Sequence, residues 1–296
     1  MNKIIIVDKP YGLTSSYVVN KLKKYFGASK AGHSGTLDPL ATGVLVVYFD
    51  DMTKIIPFID ESIKKYEVKI LFGIETDTLD ISGEILRISK VKDYSDIDFL
   101  DVVTNFIGDY NYTPPSFSAI KIKGVRSYKY ARQGRSVDLP KRKSIIKDIK
   151  IVNNGTSVIT LIVESSKGTY IRALARDIGS YIGSFSTVSK LERLGTGRFK
   201  IGDSNNYYSI LDGKEPSFFP LNKLFPLIEI DDNNAEKILK QRNYKMVDLQ
   251  ELIGRKIEDQ FVVMVNNDIP LLITTNKFDN NKKYICSEIK FFSKKN

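Results

Sequence analysis

Histidine, cysteine and tryptophan are nearly missing from this chain. Its 296 residues hold one His, one Cys and no Trp. With Cys286 alone, no intrachain disulfide can form, and a reducing compartment fits. One Cys and one His also exclude a zinc centre built from those ligands. No run of about 20 apolar residues occurs, so no segment reads as a membrane-spanning helix. The N-terminal "MNKIIIVDKP" has a short apolar run before Asp8 and Lys9, too short for the core of a secretory signal. Together these absences predict a cytoplasmic protein. No glycine-rich phosphate loop of the P-loop or dinucleotide type is present. The isolated His33 leaves no convincing Ser-His-Asp triad.

What is present is an ordinary globular composition, 42% hydrophobic and 27% charged. The length allows one large domain, or a large one plus a small one. The net charge is +10, and its distribution matters more than its total. Residues 121–150 carry eleven Lys and Arg against Asp138 and Asp148, nearly the whole excess. Tyr128 and Tyr130 stand among these charges. Cations for phosphates beside aromatics for stacking point to a nucleic-acid contact.

Along the chain, residues 3–7 and "GVLVVYF" (43–49) read as strands, the second buried. Ser15 or Ser16 is placed to cap a helix running to about Phe26. "YEVKILFG" (66–73) alternates, with Tyr66, Val68, Ile70 and Phe72 on one face. A helix is expected over 95–107. Strands at 145–152 and 157–164 meet at "NNG", a hairpin turn. A helix follows from about Thr169, and a further one near 187–194. The prolines of "EPSFFPLNKLFPL" end the main domain. The last seventy residues alternate apolar runs with polar turns and predict a small, mostly β unit.

One stretch concentrates chemistry. In "AGHSGTLDPLATGVLVVYF" (31–49), Gly32, Gly35 and Gly43 permit unusual backbone angles or close approach, and Pro39 holds Asp38 extended. By itself, an Asp before Pro is an ordinary turn former. Here it sits in a rigid loop at the start of a buried strand. Arg172 is the natural counter-ion candidate. In "TYIRALARDIG" it flanks the apolar face formed by Ile171, Leu174, Ala175 and Ile178, whereas Arg176 points further outward. An arginine packed at a helix surface is the plain alternative. Paired with Asp38, Arg172 supplies the counter-charge that a carboxylate nucleophile needs.

Six blocks carry a resemblance: "KPYGLTS" (9–15), "GHSGTLDPLATGVL" (32–45), "YEVKILFGIETDTLDISG" (66–83), "PPSFSAIKIKGVRSYKYAR" (114–132), "KGTYIRALARDIGSYIG" (167–183) and "LERLGTGRF" (191–199). In this order and spacing they resemble the TruB family, the bacterial tRNA pseudouridine-55 synthases. The resemblance implies an α+β fold: a central mixed, mostly antiparallel sheet flanked by helices, plus a small, mostly β, PUA-like C-terminal domain. It implies a catalytic domain over 1–225, with an RNA-gripping thumb at about 116–142, and an RNA-binding appendage over 226–296. It implies isomerisation of one T-loop uridine of tRNA to pseudouridine, with no cofactor, no metal, no obligatory protein partner and a monomeric enzyme.

By the same resemblance, Asp38 is the nucleophile, Arg172 its ion-pair partner, and Tyr66 lies against the target base. Leu191, on an "LxR" helix, packs near the base. His33 fills the place the flipped base leaves, Lys9 and Pro10 support the active-site strand and loop, and Tyr170 and Lys121 belong to the substrate-binding set. A cysteine common before "GTYIR" is Ser165 here. Three competing readings stand beside this one. A guide-RNA-dependent relative acting on rRNA is disfavoured by the long thumb segment. A non-catalytic RNA-binding or tRNA-folding protein is disfavoured by Asp38, Tyr66 and Arg172. A carboxylate glycosidase is disfavoured by the lack of a clear second acid.

Overall fold

The computed structural model describes residues 1–89, 97–122, 124–135, 137–241, 249–250, 254, 259–267, 269–278 and 284–292. Strands β1 (Ile4–Lys9), β2 (Ala31–Ser34), β3 (Thr42–Phe49) and β4 (Ile63–Phe72) come first, with helix α1 (Ser15–Tyr25) between β1 and β2. A small hairpin, β5 (Ile74–Thr76) and β6 (Ile85–Ile88), precedes helix α2 (Phe99–Thr104) and β7 (Gly108–Tyr112). The basic segment is structured in part. It holds the two-residue strands β8 (Lys121–Ile122) and β9 (Val125–Arg126), the short helix α3 (Ser127–Ala131) and the start of β10 (Arg142–Asn154). Then come β11 (Val158–Ser166), helix α4 (Ile171–Tyr181), β12 (Ser186–Thr196), β13 (Phe199–Lys200), β14 (Asn205–Asn206) and helix α5 (Tyr207–Leu211). The chain closes with β15 (Leu227–Glu229), helix α6 (Asp232–Gln241), β16 (Phe261–Asn266), β17 (Ile269–Phe278) and β18 (Tyr284–Phe291).

Ten strands form the central sheet, with the path β14-β1-β3-β12-β4-β11-β10-β7, β2 beside β3 and β13 beside β12. The sheet is mixed and mostly antiparallel: β1–β14 and β3–β12 pair parallel, and the other pairs run antiparallel. Strands β1 and β3 read as unbroken apolar runs because both faces are covered. Ile5, Val7, Leu45, Val47 and Phe49 belong to one core cluster with Val18 and Leu22 of α1 and Leu174 and Ile178 of α4. Ile4, Ile6, Val44, Val46 and Tyr48 pack against Val263, Val265, Ile273 and Phe292 of the C-terminal unit. That unit is a four-stranded sheet, β15-β16-β17-β18, with α6. Among the described residues no helix is long and apolar enough to cross a membrane.

Three sequence expectations need correction. The segment 187–194 is not a helix: Ser186–Thr196 is strand β12, between β3 and β4. Leu191 therefore lies on a strand, opposite Val68. A bulge between Val188 and Lys190 breaks the two-residue period, and "KLER" consists of helix formers. The helix expected over 95–107 spans only Phe99–Thr104, capped by Asp98; residues 95 and 96 lie outside the described residues. Helix α1 is capped by Thr14, whose side chain accepts from the Tyr17 N–H at 3.1 Å. Ser15 is buried and bonds the loop that carries Asp38 instead.

Candidate active site

The loop from Gly35 to Ala41 is held at both ends by the first strand and helix. Ser15 Oγ accepts from the Leu37 N–H at 2.8 Å and donates to the Leu37 carbonyl at 3.0 Å. Lys9 is fully buried, and its ammonium donates to the carbonyls of Pro10 (2.8 Å), Leu13 (2.7 Å) and Pro39 (3.3 Å). The Gly12 N–H donates to the Pro39 carbonyl at 2.8 Å. The "KP" block is thus a clamp on the "LDP" turn. Burial lowers the Lys9 pKa to about 8, and the nearby Asp38 carboxylate opposes that shift. At the far end, Gly43 has φ +94, and a Cβ there would lie 2.3 Å from the Arg193 carbonyl. Glycine is required at this crossing of β3 and β12.

Asp38 emerges from this loop with its side chain 38% exposed. Its Oδ2 lies 2.8 Å from Arg172 Nη2, and the Arg172 side chain is 4% exposed. The placement of Arg172 on the buried edge of α4, with Arg176 further out, is as the apolar pattern predicts. Arg176 pairs with its neighbour Asp177 at 2.8 Å. Arg172 has further partners that the sequence reading missed. Nη1 donates to the Thr78 carbonyl and lies 3.5 Å from Asp80 Oδ2, and Nη2 donates to the Phe117 carbonyl at 3.0 Å. Asp80 is buried. Its Oδ1 accepts from Thr78 Oγ1 and the Ser82 N–H, both at 3.0 Å, and from Ser82 Oγ. Leu79, between these donors, sits in the left-handed region at φ +60, a strained conformation for a branched side chain. The one available signal was the cluster of hydroxyls and carboxylates in "TDTLDIS", which reads first as a turn.

Tyr66 lies on β4 opposite Arg193 of β12, and Val68 lies opposite Leu191. Alternation puts these four side chains on one face. Tyr66 is nearly buried, and burial raises its hydroxyl pKa while Arg193 opposes that shift. Leu191 is buried in the same cluster. Tyr170 precedes α4, faces Ser118 and Ala119, and has its pKa raised first by burial and then by Asp38. His33 is half-buried on β2, beside β3, with its pKa lowered by burial and by Arg193 and Lys64. Pro10 is half-buried beside the clamp. Lys121 is exposed on β8, and among the described residues no contact joins it to Asp38.

The result is a half-open carboxylate backed by a buried arginine, with its charge felt at the Tyr66 hydroxyl. Asp80 does not supply the second acid of a glycosidase: it is buried, with its oxygens engaged by Thr78, Ser82 and Arg172.

The family described as TruB family pseudouridylate synthase (N terminal domain) matches residues 23–171. Among curated relatives, tRNA pseudouridine synthase B of Thermosipho melanesiensis is 35% identical over 282 residues, covering 94% of this chain and 91% of that protein. The protein of the same name from Clostridium tetani is 36% identical over 272 residues, covering 88% and 94%. Among solved structures, a Cbf5-Nop10-Gar1 complex matches with a TM-score of 0.66 at 22% identity, covering 97% of this chain and 84% of that one. At that identity the likeness is one of fold. A family match over half of the chain and relatives alike over nearly its whole length lead to one conclusion: the chain belongs to the TruB family of pseudouridylate synthases.

Proposed function

We propose that this enzyme isomerises the uridine at position 55, in the T-loop of tRNA, to pseudouridine, with Asp38 as the reacting carboxylate. The observation that carries this reading is the Asp38–Arg172 ion pair: a buried guanidinium holds a half-exposed carboxylate in place. The names of the relatives support tRNA as the substrate class.

The reaction exchanges a C–N glycosidic bond for a C–C bond at the same sugar carbon. The base edge is hidden in a folded T-loop, so the nucleotide is extruded at a cost of a few kcal/mol. Stacking on Tyr66, worth roughly 1–3 kcal/mol, offsets that cost, and His33 occupies the vacated place. Asp38 then acts on the sugar or the base ring, or takes a sugar proton; each start uses the same half-exposed position. Leu191 and Tyr66 exclude water while the detached uracil turns, because water there would give base loss. The thumb over 116–142, of which 123 and 136 lie outside the described residues, closes on the RNA, and residues 226–296 add an RNA-binding appendage.

The test is tritium release from C5-labelled uridine in unmodified tRNA. Wild-type protein is expected to release it at position 55. Asp38→Asn is expected to abolish release while tRNA binding persists. Release by Asp38→Asn near the wild-type rate would remove Asp38 from this role.

A further inference from the structure

Lys64 lies two residues before Tyr66 on β4 and shares its face. Arg193, on the neighbouring strand, is fully buried. Its Nε donates to the Val44 carbonyl at 2.8 Å and its Nη2 to the Gly35 carbonyl at 2.9 Å. These two carbonyls bracket the Asp38 loop. Arg193 Nη1, also buried, makes no hydrogen bond of ordinary geometry among the described residues, and the Tyr66 hydroxyl faces the guanidinium.

A Cβ at Gly35 would lie 2.7 Å from Lys64 Nζ and 3.2 Å from Arg193 Nη1. The ammonium and the guanidinium therefore converge on one point above the Gly35 backbone. The Cβ's next neighbour is Glu61 Oε2 at 3.8 Å, and Glu61 Oε1 already accepts from Ser34 Oγ. His33 feels both cations, and among the described residues its buried Nδ1 has no partner. Burial and then Arg193 lower the Lys64 pKa to about 8, opposed by Glu61. Two cations and one partly engaged carboxylate are short of negative charge. The Lys64 ammonium is a donor only, suited to an anion's oxygens, and the buried Arg193 guanidinium lies beneath it.

We infer that Lys64 and Arg193, beside His33, seat one phosphate of the RNA strand next to the extruded uridine. Lys64 makes the contact from its half-exposed position, and Arg193 adds its charge from beneath. The seat lies about 6.5 Å along β4 from Tyr66, within one nucleotide of the base that Tyr66 faces. This inference rests on the proposed RNA substrate and deepens it.

The test measures binding, not turnover. Asp38→Asn protein is titrated with T-stem-loop RNAs, each carrying one uncharged methylphosphonate linkage within two nucleotides of the target uridine. The titration is repeated with Lys64→Gln and Lys64→Arg added. Lys64→Gln is expected to weaken binding of the all-phosphate RNA about 5–10-fold and to reduce the salt slope by about one. At one linkage, the methylphosphonate should weaken the Lys64 protein by a similar factor and leave the Lys64→Gln protein unaffected. Lys64→Arg, which keeps the charge, should retain that sensitivity and guards against a folding artefact. Additive effects at every linkage would overturn the seat, leaving Lys64 and Glu61 as an internal charge pair. Wild-type tritium release from the same unmodified RNA is scored separately. Its absence would sink the proposed function, while the linkage data still decide the seat.

Discussion

Arg172 is where the site is assembled. One guanidinium meets Asp38, Asp80, the Thr78 carbonyl and the Phe117 carbonyl, drawing on the loop before β3, the turn after β5 and the base of the thumb. Only a planar fork serves so many acceptors at once. Asp80 never faces solvent, so its part is to hold Arg172 in register. Asp80→Asn is expected to lower kcat about 10²-fold, since small misplacements cost that much, with little change in KM. Equal kcat with raised KM would place Asp80 in binding instead. The burial of Arg172 was readable from the apolar stripe of its helix, whereas the Gly- and Pro-framed loop read locally as a turn and only the resemblance singled out Asp38. Asp80 was not readable, because a buried turn and an exposed turn use the same residues. Arg193 was equally hidden: its burial follows from its place between β3 and β4, which no local pattern reveals.

At the scale of elements, the crossing of β3 and β12 anchors the far end of the loop that carries Asp38. They pair parallel for only two residues, Thr42–Gly43 against Glu192–Arg193. That crossing brings the backbone of Arg193 against Gly43. Gly43→Ala would place a methyl group into the Arg193 carbonyl at a φ of +94. We expect a loss of about 2–4 kcal/mol, read as a lower melting temperature, with the remaining folded protein less active. A melting temperature within about 1 °C of wild type would refute the tight crossing. The strands β1, β3, β4, β10 and β11 were legible from apolar runs or alternation. β12 was not, because its bulge breaks the alternation and its charged centre favours helix in isolation. Pairing with strands on both sides overrides that preference.

Over the whole molecule, the central sheet is covered by helices on one face and by the C-terminal unit on the other. Ile4, Ile6, Val44, Val46 and Tyr48 are buried against that unit. At about 1.5–3 kcal/mol for each large apolar side chain, uncovering them rivals the net stability of a domain. A chain ending at residue 225 is therefore expected to aggregate or to lose cooperative unfolding, as seen by calorimetry. A soluble fragment with the melting temperature of the full chain would show that the C-terminal cover is dispensable.

The sequence by itself determined the broad class, the basic segment and the loop that presents Asp38, because composition, local charge and Gly-Pro spacing act over a few residues. The resemblance of its six blocks pointed to the family that the comparisons then showed. The tertiary structure alone decided that Asp80 stands behind Arg172, that Ser15 joins Lys9, which the resemblance had already assigned to the loop's support, and that Lys64 and Arg193 converge over Gly35. Those contacts join residues 22 to 158 positions apart, such as Ser15 with Leu37 and Arg193 with Gly35. Strand order and burial create them, and neither is written in any one segment.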